Sequence, residues 1–486
     1  MALLACYYLI MDYSGLKVLI MGLGLHGGGL ESAVYLLKKG ARLTVTDLRD
    51  EKALYQSIQK LEAACGTVGA SPIRYVLGRH EIADFKDADL IIKNPGVNPD
   101  SPYLKAASNI ETDISLFLAS CPANLYAVTG TKGKSTTASA LHCILKKVPG
   151  TVFLGGNITV SPLSFLDELK EGDNVVLELS SWQLGDLRGR TARDGRPLLK
   201  PRAAVITPIM PDHLDRYGSM DSYVEDKRLI YQGQDSGCVT VAGDDSWGRS
   251  FLSESRGRPL VYANAPLEDG RSGGWLTGAD GPGLARLCGE GWNANGEIEE
   301  LVPSQLLTPG IHQKQNLLAA ALAAYGLGLE AEKIREALSL FSGIEHRLEF
   351  FHEAGGIRFY NDSAATIPEA AAAAVQALSP QGPVVLVTGG TDKNLDFTPI
   401  VNAASKARAV VLLSGSGSDK LKPLLTQAGI SCLGPFDDVD TAAAAVLEAA
   451  QAGCAVVLSP GCASFGMFAN EFDRGAKWKE AVRKLA

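Results

Sequence analysis

Thr129-Gly130-Thr131-Lys132-Gly133-Lys134-Ser135-Thr136-Thr137 follows the apolar run Leu125-Tyr126-Ala127-Val128 and precedes Ala138–Lys147, whose apolar spacing suits a helix. The run reads as a buried strand, so the stretch is a strand, a Gly-rich turn and a helix N-terminus in succession. That succession makes a phosphate cradle. Backbone N–H groups point into the turn, the helix dipole favours anions, and Lys134 adds a mobile positive charge. Ser135 or Thr136 would place a hydroxyl on a magnesium ion. The strict pattern G-x-x-x-x-G-K-[ST] fails by one residue, because Val128 stands where its first Gly belongs. The stretch reads as an ATP site.

Around it, strand-like apolar runs alternate with helix-length segments nearly throughout, which predicts an α/β protein with parallel sheets. Lys17–Met21, Ala41–Thr46 and Asp89–Ile92 read as strands, and Glu31–Lys39 as a helix. Gly22-Leu-Gly24-Leu25-His26-Gly27 follows the first strand, and Asp47 lies twenty residues past Gly27. Formally this is a Rossmann dinucleotide fingerprint with the acidic residue that would meet a ribose. Three uses stay open for it: an NAD site, a tight turn with no ligand, or a grip on the diphosphate of a UDP-sugar. Asn94-Pro95-Gly96-Val97-Asn98-Pro99 would add backbone contacts beside it.

Past the P-loop, Asn174–Leu179 reads as a strand carrying Glu178, a candidate magnesium ligand because hard cations need oxygen donors. Ala203–Thr207 leads to a loop with Asp212-His213-Leu214-Asp215-Arg216-Tyr217, where His213 is a candidate metal ligand or acid/base, or simply solvated. Residues 233–305 are Gly-rich and poorly periodic, which predicts short strands and long surface loops. Gln313 and Asn316 precede an Ala/Leu-rich helix and share one helical face, suited to a planar group such as adenine or to helix capping. A linker near Ser342-Gly343 opens the last part, with Arg347 placed to reach a phosphate. Strands are expected at Ile357–Tyr360, Pro383–Val387, Ala409–Leu413 and Ala455–Leu458, with a helix from Pro368. The loops Thr388–Asn394 and Ser459–Gly466 follow two of them, and a Lys in one with a Ser in the other would suit a small dicarboxylate.

The composition bounds the function. At 486 residues the chain is long enough for two to four domains. A net charge of −8 argues against nonspecific nucleic-acid binding. Nine Cys are scattered without a C-x-x-C pair, which suits a reducing compartment and not a disulfide or zinc framework. Met1–Met11 is apolar but too short to span a bilayer and lacks the basic region of a signal peptide. The expectations are therefore a cytoplasmic protein with no membrane insertion, and Met11 as a candidate start.

Taken in order, Gly-Leu-Gly-Leu, Gly-Thr-Lys-Gly-Lys-Ser-Thr, Glu-Leu-Ser-Ser-Trp-Gln-Leu, Asp-His-Leu-Asp-Arg-Tyr, His-Arg, Asn-Asp-Ser and Ser-Pro-Gly-Cys-Ala-Ser closely resemble the Mur ligase family from Met11 to the end. The resemblance implies three α/β domains. These are a Rossmann-like UDP-sugar-binding domain (1–112), a central P-loop ATPase-type domain (113–343) and a Rossmann-like amino-acid-binding domain (344–486). It implies a monomeric, ATP-dependent amide ligase of peptidoglycan precursor synthesis that adds D-glutamate to UDP-N-acetylmuramoyl-L-alanine. Alternatives are a family member adding another amino acid, an NAD-dependent oxidoreductase, or a nucleotide-binding regulator.

By motif, the resemblance gives Lys134 the ATP phosphates, and Ser135, Glu178 and His213 two magnesium ions. It makes Lys227 a carbamoylated lysine supporting the metal site, where sequence alone would read a solvated helix face. Gln313 and Asn316 match the adenine side, and Arg347 and Asp362 the nucleotide phosphate and ribose. Gly24, Leu25, His26, Asp47, Leu48 and Arg49 match the uridine-diphosphate end, Asn157 a muramoyl contact, and Lys393 and Ser464 the incoming glutamate. Three departures stand out. Ala364 replaces a lysine common in relatives, Ile367 replaces an Asn, and Asn470-Glu471-Phe472 inverts a commoner Asn-Phe-Glu order.

Overall fold

The structure is a computed structural model, and it describes residues 13–24, 28–158, 160–192, 194–278, 281–289, 292 and 296–485. Met1–Met11, Leu25 and His26 lie outside the described residues. The chain forms two compact units: one comprises the chain up to Thr277 with Gly283–Val302 and Gln315–Arg335, and the other is Gly278–Pro282, Pro303–Lys314 and Glu336–Ala486.

The first unit carries two sheets. In the first sheet β1 (Lys17–Met21), β2 (Arg42–Asp47), β3 (Arg74–Leu77), β4 (Leu90–Lys93) and β5 (Ile110–Glu111) are all parallel, in the order β3-β2-β1-β4-β5. The order reverses between β1 and β4, the switch point at which open α/β sheets leave a crevice beyond their strand ends. The helix Gly28–Lys38 returns directly beneath that point. A Cβ on Gly29 would sit 2.1 Å from the carbonyl oxygen of Gly22, so only glycine lets helix and strand approach this closely.

The second sheet is built from β6 (Asn124–Thr129), β7 (Val152–Gly156), β8 (Asn174–Glu178), β9 (Ala203–Ile206), β10 (Val239–Gly243), β11 (Arg258–Ala263), β12 (Gly273–Leu276), β13 (Gly283–Arg286) and β14 (Ile298–Val302). Its order is β14-β13-β12-β11-β10-β9-β6-β8-β7, parallel except for the last two pairings at the β14 edge. Val128, Val176, Leu177 and Val205 in its middle are completely buried, each stabilising by roughly 1.5–3 kcal/mol relative to exposure. One apolar core joins both sheets, running from Val18 and Ile20 through Ile114 and Phe117 to Leu163 and Val175.

Residues 233–305 correct the expectation of long surface loops. They supply β10 to β14 and the helix Ser246–Glu254, which is capped by Asp245. The short strands expected there are present, and only their positions were obscured, because glycines sit inside them. Gly273 and Gly283 approach the backbone of Val261 and the side chain of Val302 closer than a Cβ would permit.

The second unit holds β15 (Glu349–Ala354), β16 (Ile357–Asn361), β17 (Val384–Gly389), β18 (Ala409–Leu413), β19 (Cys432–Phe436) and β20 (Ala455–Leu458), ordered β15-β16-β20-β17-β18-β19. Only β15 is antiparallel. Apolar clusters cover both faces, one around Leu386 and Val457 and the other around Val387 and Trp478.

Candidate functional site

At the switch point of the first sheet, a cleft of about 860 Å³ opens within the first unit. The glycine turn after β1 lines it, as do Asp47, Leu48 and Arg49 after β2, His80 after β3 and the Asn94–Asn98 turn after β4. Its far wall is Asn157, just past β7, with Ser180, Trp182 and Gln183, just past β8 of the second sheet. Asp47 is buried, and its carboxylate accepts from the N–H groups of Gly24 (3.3 Å) and Arg49 (2.9 Å). The carboxylate therefore fixes the glycine turn and also faces the cleft.

The P-loop lies at the carboxyl end of β6, and the helix begins at Lys134, four residues before the expected start. Gly130 (φ 140°) and Gly133 (φ 87°) take backbone conformations that favour glycine. A Cβ at Gly130 would meet the carbonyl oxygen of Thr207 at 2.7 Å, and one at Gly133 the Asn316 Oδ1 at 2.2 Å. Asn316 thus packs on the P-loop, while the Oε1 of Gln313 is buried without a partner among the described residues. Thr131 latches the loop: its N–H donates to Pro208 O (3.0 Å), and its hydroxyl lies 3.0 Å from the Tyr223 hydroxyl and accepts from Met210 N–H (3.0 Å). The ammonium of Lys134 rests on Thr131 O at 3.0 Å. Lys132 is exposed, 3.9 Å from Asp212, and Ser135 and Thr136 are half-buried in the first helical turn.

Glu178 ends β8 beside this loop and is fully buried. Its Oε1 accepts from Asn157 Nδ2 (2.9 Å), whereas Oε2 has no partner among the described residues. A buried carboxylate oxygen without a donor is costly unless a cation meets it. Lys227, on the helix Met220–Arg228, is buried and donates to Gly130 O at 2.8 Å. Burial, then the charge of Lys134, pull its pKa down to about 7, against the opposing pull of Asp212, Asp226 and Glu178. The solvated helix face that sequence alone would read is not what this residue occupies. His213 sits at φ 54° ahead of the short helix Leu214–Tyr217, its ring 4.9 Å from that of Trp182, on which Arg216 also stacks. Among the described residues no three His, Cys, Asp or Glu side chains converge as a ready-made metal site. Glu178 and His213 are therefore two donors that need others.

In the second unit, Asp362 is half-exposed as a residue but its carboxylate is enclosed. It accepts from Ser459 Oγ (2.6 Å) and Leu348 N–H (3.0 Å), and burial raises its pKa to about 6 despite those bonds and Arg347. Arg347 is exposed. The loops carrying Lys393 and Ser464 are stitched together by paired 3.0 Å hydrogen bonds between Thr391 and Ala463. Lys393 is exposed and Ser464 buried.

Three family descriptions match the chain. They are a Mur ligase MurD-like N-terminal domain over residues 16–115, the Mur ligase middle domain over 128–324 and the Mur ligase glutamate ligase domain over 346–462. The UDP-N-acetylmuramoylalanine–D-glutamate ligase of Treponema pallidum (strain Nichols) is 39% identical, over 96% of this chain and 98% of that protein. The chain belongs to the Mur ligase family. A like-named ligase of Roseiflexus sp. (strain RS-1) is 38% identical over 98% of this chain and all of that one. In fold, the chain is similar to the MurF of Acinetobacter baumannii (TM-score 0.57, 15% identity, 96% of this chain and 93% of that chain). The oxidoreductase reading of the glycine turn gains nothing from these relatives.

The departures from the Mur ligase pattern have a structural setting. Beneath the turn where Ala364 replaces a lysine lies the buried guanidinium of Arg474, which donates to Ser363 Oγ and O and to Cys462 O. Phe472 packs at 5.4 Å on the ring of His346, and Ile367 is exposed. Sequence reasoning missed His80, Tyr103 and Asp113, all of which line the cleft. His80 lies just past β3, Tyr103 in the short helix Pro102–Lys105 and Asp113 at the first position of the helix Asp113–Ser120, and no spacing pattern marks any of them.

Proposed function

We propose that this Mur ligase joins D-glutamate to UDP-N-acetylmuramoyl-L-alanine in peptidoglycan precursor synthesis, with ATP as the energy source. The observation that carries the reading is the bond from Asn157 to Glu178. Through it, the wall of the nucleotide-sugar cleft holds a buried carboxylate beside the P-loop, so the end of a substrate in the cleft meets the ATP site. The full-length likeness to ligases named for D-glutamate supports the acceptor.

In this reading Gly24, Asp47 and Arg49, with Leu25 and His26, take the uridine-diphosphate end, and Asn157 the muramoyl end. Residues Gly130 to Thr136 cradle the ATP phosphates, with Lys134 neutralising charge. Gln313 and Asn316 face adenine, Arg347 the phosphates and Asp362 the ribose. Lys393 and Ser464 hold the two carboxylates of D-glutamate. The substrate carboxylate attacks the γ-phosphorus of ATP, giving an acyl phosphate and ADP. The neutral amine of D-glutamate then attacks the acyl carbon, phosphate leaves, and the amine gives up a proton as the amide forms. The protein's part is mainly positioning and charge neutralisation.

The donor set fits hard dications, since Glu178 presents an unpartnered buried oxygen. Ser135, Glu178, His213 and Lys227 as its carbamate would hold two magnesium ions, which neutralise the phosphate oxygens during transfer. Lys227 suits carbamoylation because an amine with a pKa near 7 is largely free base under physiological conditions and CO2 reacts with that form. The reading keeps three domains, 1–112, 113–343 and 344–486, for which the presence of three sheets and three family matches is the support. A monomer in the cytoplasm completes the reading. The eight described cysteines are all unbridged, and among the described residues no helix is long and apolar enough to cross a membrane.

The deciding assay is phosphate release with ATP, magnesium and UDP-N-acetylmuramoyl-L-alanine, adding D-glutamate, L-glutamate, L-lysine or meso-diaminopimelate in turn. Turnover with D-glutamate alone is expected. Turnover with another amino acid would keep the ligase and replace the acceptor, and no turnover with any would sink the reading.

A further inference from the structure

The turn that carries Arg347 is held on both sides. Its neighbours His346 and Leu348 both lie in the left-handed region (φ 64° and 45°), which a leucine adopts only when its surroundings impose it. The N–H of Leu348 donates to Asp362 Oδ1 (3.0 Å), and the carbonyl oxygen of His346 accepts from Ala364 N–H (3.0 Å). The N–H of His346 donates to Glu349 Oε2 (3.0 Å). The imidazole of His346 is buried in a notch over Gly475, where a Cβ would stand 2.1 Å from its Nδ1. Arg347 itself is exposed, so a fixed backbone carries a solvent-facing guanidinium.

Of the groups that hold this turn, Glu349 is the side chain with no part yet in the reaction. It opens β15, and its carboxylate is nearly enclosed, at 14% exposure. Besides the His346 N–H, its Oε2 accepts from Asn361 Nδ2 (2.9 Å). Lys479, on the C-terminal helix Glu471–Leu485, pairs with its Oε1 at 3.0 Å and with Glu345 at 2.6 Å. The ammonium balances the carboxylate in this enclosed place, which makes the pair tolerable there. Three donors thus converge on one carboxylate, and its departure from His346 would strand the other two.

We infer that Glu349 is a positioning residue for the ligase reaction. By holding the N–H of His346 it imposes the backbone path that presents Arg347 to the phosphates of ATP. It acts through that arginine and not by touching the nucleotide. Left-handed backbone at two successive non-glycine neighbours of one exposed cation is costly, and such strain persists where the surrounding structure fixes it for a task. This inference rests on the reading of Arg347 given above.

The test is ligase kinetics and thermal unfolding of the full-length protein for the wild type, Glu349→Asp, Glu349→Gln, Arg347→Ala and the double variant of Glu349→Asp with Arg347→Ala. Aspartate keeps the charge for Lys479 but falls short of the His346 N–H, whereas glutamine keeps the reach and loses the charge. Glu349→Asp should lower kcat/KM for ATP by about tenfold to a hundredfold, the range for one charged contact misplaced. KM for UDP-N-acetylmuramoyl-L-alanine should stay nearly unchanged. Glu349→Gln should remain close to the wild type. With Arg347→Ala already in place, Glu349→Asp should cost nothing further, because it acts only through that side chain. A lower Tm with kcat/KM for ATP unchanged would mark a purely structural contact and overturn the assignment. So would losses that add in the double variant, or a Gln variant as damaged as the Asp one, and each would leave the ligase reading intact. Unchanged kcat/KM for ATP in Arg347→Ala would remove the arginine from the phosphates and the inference with it.

Discussion

The Nζ of Lys227 lies 2.8 Å from the carbonyl oxygen of Gly130, so the amine expected to carry the carbamate is docked against the first residue of the P-loop. With its pKa near 7, Lys227 is a competent nucleophile for CO2 at neutral pH. Exhaustive CO2 removal should lower kcat severalfold or more, bicarbonate should restore it, and at a fixed concentration of dissolved CO2 restoration should be faster at pH 8 than at pH 6. Lys227→Met should show neither response. The same residue sets a stability signature. Between pH 7 and the ordinary lysine value of 10.5 the unfolded chain holds this proton and the fold sheds it. Its contribution therefore improves as pH rises through that window, and the penalty is complete below 7. The difference in Tm between Lys227→Met and the wild type should shrink as pH rises from 7 to 10.

Lys134→Ala should cut kcat by about a hundredfold to a thousandfold, the range for losing one charge-stabilising group. UDP binding should persist, because the cleft is lined by other elements. Single-turnover phosphate release and calorimetry with UDP separate the two.

Gly130→Ala places a methyl 2.7 Å from the carbonyl oxygen of Thr207, and backbone cannot swing aside as a side-chain end can. A destabilisation of about 1–3 kcal/mol is expected, with loss of ATP binding. Urea unfolding together with ATP titration checks it. Unaltered ATP affinity would mean that the loop tolerates a different backbone path.

Asp362 titrates near 6, above the ordinary 3.8, because burial disfavours its charge. Between these values the fold binds a proton that the unfolded chain does not, so this group's contribution to stability falls as pH rises from 4 through 6. Asp362→Asn should flatten that slope in a Tm-versus-pH series while lowering affinity for ATP through the lost ribose contact.

The P-loop was legible in the sequence because its glycines are demanded by backbone conformation and its lysine by charge. The strands at Ala409–Leu413 and Ala455–Leu458 were read to the residue because fully buried strands are continuous apolar runs. The short strands expected in 233–305 are present as β10–β14, but their positions could not be assigned because glycines inside them look like turn punctuation. Burial of Lys227 was equally hidden. Its helix is polar in composition, and only the partner surface at Gly130 decides which side faces inward. His80 stood alone in its segment, and it reaches the cleft beside Thr46, thirty-four positions away.

Among the ion pairs that join the two halves of the first unit are two with buried members: Lys93 with Asp186 at 2.8 Å, and Arg190 with Glu111 at 2.5 Å. Lys93 and Glu111 are buried on the β4 and β5 side, and their partners follow the helix Ser181–Gly185. The boundary near residue 112 is therefore a poor place to divide the molecule. A fragment ending there would keep a buried ammonium and a buried carboxylate stripped of their counter-ions, along with half of a shared apolar core. Anyone seeking a minimal nucleotide-sugar module from this chain should expect insoluble material from the first 112 residues, and should keep the first unit whole through Arg335.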